Sequence, residues 1–349
     1  MENLGLYLVD PPCFPPFLFA EEISGKILDV LVSEGLLIVR LKCVSFCNNG
    51  RRPPPMNYFF LKRITLWCAP LLLIALLIMD ACSPAAEDPD KEVWISLFDG
   101  SDMDNWVPKF AGFDLGVNHN NRFVFKDSLL SVRYAVKDSF KGNFGHLFYK
   151  EKFSHYRLRA RYRFVGDQMT GGPGWAFRNN GLMLHCQDPE SMGLEQDFPI
   201  SLELQLLGGD GIHPRTNANL CTPGTNVVLG DSLFIPHCIN SNSGTYHGDR
   251  WVDVEALVLG DSLIQHILEG KVVMEYRKPT IGGGAISGYK ESAYREGAPL
   301  NEGLISIQAE SHPIDFKSIE LLNLCGCMDQ KAKNYKKYYV KADNERCIY

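Results

Sequence analysis

An all-β fold is predicted for this chain by three observations. From Val93 onward, short apolar runs are separated by Gly, Asn, Asp and Pro; no long segment carries a helical period; and Ser201-Leu202-Glu203-Leu204-Gln205-Leu206 alternates small or polar residues strictly with leucine. As a strand, that last stretch buries its leucines on one face and offers Glu203 and Gln205 on the other. The pattern recurs where Ile305, Ile307 and Ala309 alternate with Ser306, Gln308 and Glu310 before His312. Two strands therefore show carboxylates and amides on one face, and if that face is shared it is the place for chemistry.

The 349 residues suit one large or two ordinary domains, and 45% apolar residues supply a sizeable core. A formal net charge of -6 leaves no basic footprint, so nucleic acid is not an expected partner. Location is read from Met56 to Cys82, where Lys62 and Arg63 precede an apolar run from Ile64 to Met79 and then Asp80-Ala81-Cys82. This describes a bacterial lipoprotein signal peptide with Cys82 as the lipidated residue, which places the protein in the cell envelope, held to the membrane by its lipid. A spanning helix is disfavoured because the run is short and Ser83, Pro84 and an acidic linker follow it without a basic flank. A signal peptide has to be N-terminal, so residues 1–55 read as an upstream start chosen in error and are left out of fold reasoning. Residues 83–92 are then linker, 93–324 the folded domain and 325–349 a Cys-containing tail.

Beyond Cys82 the chain carries Cys186, Cys221, Cys238, Cys325, Cys327 and Cys347, an even set in an oxidising compartment. Disulfides are expected, with connectivity left open. Cys325-Gly326-Cys327 is too tight for a zinc knuckle, and no Cys or His pair of suitable spacing follows.

In chain order, Leu97-Phe98-Asp99-Gly100 is an apolar strand ended by a turn, with Trp106 after it. Phe123-Val124-Phe125 and Leu129 to Val132 flank Asp127-Ser128 as a hairpin-like pair. Tyr156 to Phe164 sets Arg157, Arg159, Arg161 and Arg163 against Leu158, Ala160, Tyr162 and Phe164, which reads as a solvated outer face rather than an anion clamp. The loop Thr170-Gly171-Gly172-Pro173-Gly174-Trp175 lacks the Lys and the strand-loop-helix setting of a phosphate loop, and a flexible lip carrying Trp175 over a cleft is the better use. A Gly, Asn and Pro-rich excursion runs from Gly208 to about Gly248. Trp251 to Leu259 and Ser262 to Leu268 form the clearest hairpin, and Ile281 to Pro299 is a second Gly-rich loop. Gly230-Asp231-Ser232-Leu233 and Gly260-Asp261-Ser262-Leu263 spell an esterase nucleophile motif, but both sit at expected strand turns and are read as turns.

Taken together, Leu97-Phe98-Asp99-Gly100 with Trp106, Asn180-Gly181, Glu203-Leu204-Gln205, Trp251, Glu269-Gly270, and Gly303 to Gln308 before Ile314 to Ile319 resemble the 3-keto-disaccharide hydrolase domain over roughly Val93 to Leu324. The resemblance implies a concanavalin A-like jelly-roll sandwich of two antiparallel sheets, secretion or lipoprotein anchoring, and a 3-keto-glycoside substrate. The tail from Cys325 resembles a short disulfide-closed module that ends some bacterial surface proteins.

A ketone at sugar carbon 3 acidifies the hydrogen on carbon 2, so the glycosidic bond can break by proton removal and elimination, followed by water addition. This needs a base, an acid, and donors near the developing enolate oxygen. Glu203 and Glu310 are the candidate base and acid, with His185 or His312 able to exchange these roles. Gln205, Gln308 and Asn180 are candidates for binding sugar hydroxyls or the oxyanion, and Trp175 for stacking. Two other readings stand beside this one: an ordinary two-carboxylate glycosidase, and a non-catalytic carbohydrate-binding module stacking sugar on Trp175, Tyr246 and Trp251. No cofactor is predicted, although acidic groups such as Asp253 and Glu255 leave room for a divalent metal.

Overall fold

The structure, a computed structural model, describes the backbone of residues 18–23, 26–33 and 36–43, and residues 87–98, 103–135 and 137–349 with their side chains. The signal segment, Cys82 and the Asp99-Gly100 turn lie outside the described residues. The chain divides into two compact units, 1–83 and 84–349. In the first, β1 (Leu18–Ile23), β2 (Lys26–Ser33) and β3 (Leu36–Cys43) pair as an antiparallel meander, in a stretch where no period was legible.

The second unit opens with β4 (Ile95–Ser96), β5 (Trp106–Phe110), β6 (Phe123–Lys126), β7 (Leu129–Val132), β8 (Gly145–Phe153) and β9 (His155–Phe164). It continues with β10 (Asn179–Cys186), β11 (Leu202–Leu207), β12 (Asn219–Cys221), β13 (Thr225–Leu229), β14 (Ser232–Phe234) and β15 (Cys238–Ile239). The last strands are β16 (Val252–Leu259), β17 (Leu263–Leu268), β18 (Lys271–Ile281), β19 (Gly303–Ala309), β20 (Ile314–Asn323), β21 (Cys325–Gly326) and β22 (Lys341–Ala342). Short 3₁₀ turns are the only helical elements among the described residues.

Two large antiparallel sheets result, the jelly-roll sandwich expected. One has seven strands in the order β15-β12-β11-β10-β19-β8-β5, and the other has ten, β14-β13-β18-β17-β16-β9-β20-β7-β6 with β4 on β20. Their facing sides make the core. Leu182, Leu184, Leu202, Leu204, Leu206, Ile305 and Ile307 from the first sheet join one buried cluster with Tyr156, Leu158, Tyr162, Val254, Val258 and Phe316 from the second. Each fully buried aliphatic side chain there contributes roughly 1.5–3 kcal/mol, which is why the alternation in β11 commits its register.

On the outer face of the ten-stranded sheet the four arginines of β9 are paired across strands. Arg157 binds Glu255 at 2.6 Å, Arg159 Glu320 at 2.9 Å, Arg163 Asp315 at 3.1 Å, and Arg161 approaches Asp253 at 3.8 Å. The excursion from Gly208 is not a bare loop, since it contains β12 to β15, and Cys221–Cys238 ties two of these strands together. Both esterase-like motifs are strand turns, between β13 and β14 and between β16 and β17. The tail is closed by Cys327–Cys347 and grips the segment ahead of β4: Lys336 pairs with Glu87 at 2.8 Å and Lys337 with Asp90 at 2.7 Å.

Candidate active site

The seven-stranded sheet turns its second face away from the core, and register decides what stands there. Lys109 pairs with His146, His146 with Gln308, Gly181 with Gln205, and Gln205 with Asn219. Because the Leu182–Ile307 pair sets Gly181 level with Gln308, these residues form one row across six strands. The next row carries Glu203, flanked by Met183 and Cys221. Glu310 follows Gln308 by two residues at the end of β19 and is 2% exposed. The segment between β10 and β11 covers this face, packing Met192 with Met183 and setting Phe198 edge-on to His146 at 5.7 Å.

The two rows are polar yet largely buried, with Glu203 only 4% exposed and Gln308 and His146 closed off from solvent. Glu203 Oε1, Glu310 Oε2, both amide atoms of Gln308 and both ring nitrogens of His146 have no hydrogen-bond partner. Such a concentration of unmet buried polar groups is unusual outside functional sites. Burial holds the Glu310 carboxyl up to about 8. Glu203 is also held well above the usual carboxylate range, first by burial and then by the charge of Glu310, while the nearby Gln308 amide opposes this. Gln308 lies close to Glu203 without a well-formed hydrogen bond between them. Burial, reinforced by Lys109, pushes His146 down to about 3, so its ring is neutral. Lys109 is anchored by the carbonyls of Phe110 at 2.7 Å and Leu194 at 2.8 Å.

Of the residues singled out from sequence, Glu203, Gln205, Gln308 and Glu310 stand on this face. Gln205 is half-buried and accepts from Asn219 Nδ2 at 3.2 Å. Asn180 does not join them. It is one residue out of phase with Gly181, so it faces the core side and donates to the Gln308 carbonyl at 2.7 Å. His185 is also turned away, because a bulge between Met183 and Cys186 breaks the alternation and leaves it at φ 51°. Its Nε2 meets the Gly260 carbonyl of the other sheet at 3.2 Å, and its ring lies edge-on to Tyr156. His312 follows Ser311, where φ reaches 93°, and it is wedged edge-on against Phe164 and Phe177. Burial lowers both histidines to about 4.

Trp175 is 53% exposed and stacks on Phe144 at 5.8 Å, which in turn packs against Phe198. The loop carrying it is pinned rather than loose: the Arg215 guanidinium donates to the carbonyls of Trp175, Phe177 and Gly208. Trp251 and Tyr246 lie under Arg163 and Arg250 and do not line the polar row. Asp253 and Glu255 belong to the arginine ladder of the opposite sheet. The one grouping of metal-ligating side chains among the described residues is Cys221, His237 and Cys238, and its two sulfurs are already joined in a disulfide.

Sequence reasoning missed His146 and Lys109. Both faces of β8 around His146 and the end of β5 around Lys109 are buried, so no alternation of polar with apolar residues marks them.

Residues 93–322 match the family model described as the 3-keto-alpha-glucoside-1,2-lyase-like domain. No curated protein matches the chain. Among solved structures, a Parabacteroides distasonis chain provisionally named a glycosyl hydrolase is similar at 16% identity over 66% of this chain and 99% of its own, with a TM-score of 0.39. A Bacillus subtilis protein of unknown function with a galectin-like fold is 13% identical over 67% of this chain and 97% of its own, at 0.40. A LamA variant from Z. galactanivorans, in complex with laminaritriose and laminaritetraose, is 9% identical over 66% and 98%, at 0.39.

Proposed function

The chain belongs to the 3-keto-alpha-glucoside-1,2-lyase-like family, and from that premise we propose that it is a carbohydrate-active enzyme that cleaves 3-keto-glycosides by elimination and hydration. The observation that carries this reading is the pair of buried carboxyls, Glu203 and Glu310, on one polar face with the unpartnered Gln308 amide beside them.

Glu310 keeps its proton up to about pH 8 and serves as the acid. Burial holds the proton on Glu203 as well in the free site, so its carboxylate has to form when the sugar binds; the Gln308 amide favours that carboxylate and a neutral Glu310 does not oppose it. On this reading Glu203 is the base. It takes the hydrogen on carbon 2; the electron pair moves to form the enolate toward the carbon 3 oxygen. That pair then re-forms as the double bond between carbons 1 and 2, and the bond from carbon 1 to the leaving oxygen breaks. The leaving oxygen departs with the proton of Glu310. The Gln308 amide and the neutral His146 ring are the donors for the enolate oxygen. Addition of water across the double bond gives the 3-keto-sugar. No step draws on a cofactor, and dialysis against a chelator is expected to leave turnover unchanged.

The location follows the sequence reading: a lipid on Cys82 holds the domain at the envelope, to be checked by mass spectrometry of the N-terminal peptide. The activity is tested with 3-keto-trehalose and trehalose in heavy water. Cleavage of the keto-sugar alone, with deuterium at carbon 2 of the product, supports the proposal. Equal cleavage of trehalose without deuterium at carbon 2 indicates a two-carboxylate glycosidase, and binding without turnover a carbohydrate-binding module. Glu203→Gln is expected to lose activity on every substrate, and Glu310→Gln to keep it where the leaving group needs no proton, as with p-nitrophenolate.

A further inference from the structure

Beside the Glu310 end of the polar row lies a cavity of about 490 Å³ that the reaction above leaves unused. Phe113, His119, Arg122, Tyr134, Lys137 and Lys141 are among the residues that line it. Two features describe its ligand. Its walls are aromatic, with Phe113 stacked on His119 at 4.0 Å and Tyr134 lying under the Arg122 guanidinium at 4.6 Å. Its charge runs against that of the molecule, because Arg122, Lys137 and Lys141 face the single carboxylate of Asp138 in a chain whose formal net charge is -6. Asp138 is already paired with Arg122 at 3.2 Å, which leaves the two lysines without an ion pair among the described residues.

The cavity adjoins the reacting groups. Tyr134 Oη accepts the N–H of Ser311, the residue after Glu310, at 2.8 Å. On its other side Phe140 meets Phe144 at 5.1 Å, and Phe144 meets Phe198, whose ring covers His146. The rim is held in an uncommon conformation, since consecutive Asn120 and Asn121 take φ 51° and 50°. Non-glycine residues in that region are held by their surroundings and gather at ligand sites.

We propose that this cavity is the leaving-group subsite and that it takes an acidic sugar, a pyranose bearing a carboxylate. The aromatic walls stack the ring, Lys137 and Lys141 bind the carboxylate, and the glycosidic oxygen then faces Glu310, the acid of the reaction proposed above, on which this assignment rests.

The test is calorimetric titration of the purified protein with sodium glucuronate and with glucose. Glucuronate is expected to bind about tenfold more tightly than glucose, to weaken with added salt, and to fall to the level of glucose in the Lys137→Gln/Lys141→Gln variant. Both lysines are exposed, so that variant keeps its fold. Phe113→Ala is expected to weaken both sugars alike. Equal affinity of the wild type for the two sugars, or glucuronate binding untouched by loss of both lysines, overturns the proposal. Preference for glucuronate without cleavage of any 3-keto-glycoside leaves the subsite standing and removes the reaction, while cleavage without that preference does the reverse.

Discussion

Glu203 and Gln308 approach each other over Gly181, where a Cβ would lie 2.7 Å from Glu203 Oε1 and 2.8 Å from Gln308 Oε1. No side chain fits there unless both polar ends move aside. Their convergence thus depends on a hydrogen atom in β10.

Gly181→Ala is accordingly expected to lower kcat/KM on a 3-keto-glycoside by about 10- to 100-fold, because small displacements of reacting groups carry penalties of that size. The φ of Gly181 is not in the left-handed region, but the atoms that must shift include Glu203 Cγ, 2.7 Å away in a buried site, so the thermal midpoint should fall as well. Unchanged kinetics would separate Glu203 and Gln308 from the reaction.

The raised Glu310 carboxyl makes activity and stability depend on pH together. The folded state holds that proton up to about pH 8, whereas the unfolded chain releases it near the ordinary carboxyl value of 4.5. Between these limits the folded protein binds the extra proton, so stability is greatest below about 4.5 for this group and falls as pH rises toward 8. Glu310→Gln should flatten that decline in melts recorded across the range. In wild-type kinetics, kcat/KM should drop above about pH 8 as the acid is lost, and the limb should vanish in the variant with a p-nitrophenyl leaving group.

Cys221 flanks Glu203 in the register of β11 and β12, and its disulfide to Cys238 spans 17 residues at the edge of the sheet. Replacing both cysteines by serine should cost about 3 kcal/mol of stability, the entropy of closing a loop of that size. Urea unfolding measures it, and an unchanged midpoint would show that the edge strand holds without the bridge.

Arg215→Ala should release the lip. Its guanidinium gathers three carbonyls around Trp175, and loss of such charge-assisted bonds costs roughly 1.5–3 kcal/mol locally. Faster proteolysis between Thr170 and Arg178, with stronger quenching of tryptophan fluorescence by acrylamide, is the expected result. Equal quenching and cleavage in variant and wild type would place the restraint elsewhere.

The sandwich was legible because alternation in β9, β11, β16 and β19 is enforced by burial of one face, and that signal is local. The polar face was legible only in part, for the same reason: Glu203, Gln205 and Gln308 alternate with core residues in plain strands. Asn180 and His185 misled because phase and bulges decide direction. A single out-of-phase position sends the first to the core, and a bulge with a left-handed residue turns the second to the other sheet. His146 and Lys109 stayed hidden because burial on both sides erases alternation, and loops distant in sequence cause that burial. The grip of Arg215 on Trp175 joins residues 40 apart, a distance no window along the chain reports.

The tail and the segment ahead of β4 form a buckle. Glu87 donates its N–H to the Lys333 carbonyl at 2.9 Å, Lys336 and Lys337 hold Glu87 and Asp90, and Cys327–Cys347 prevents the tail from unravelling behind them. A pull on the chain ahead of residue 87 is therefore taken up by the buckle before it reaches the strands that carry Glu203 and Glu310. In mechanical terms the tail is a strain relief, isolating the sandwich from a pull on the preceding chain as a clamp isolates an instrument from its cable.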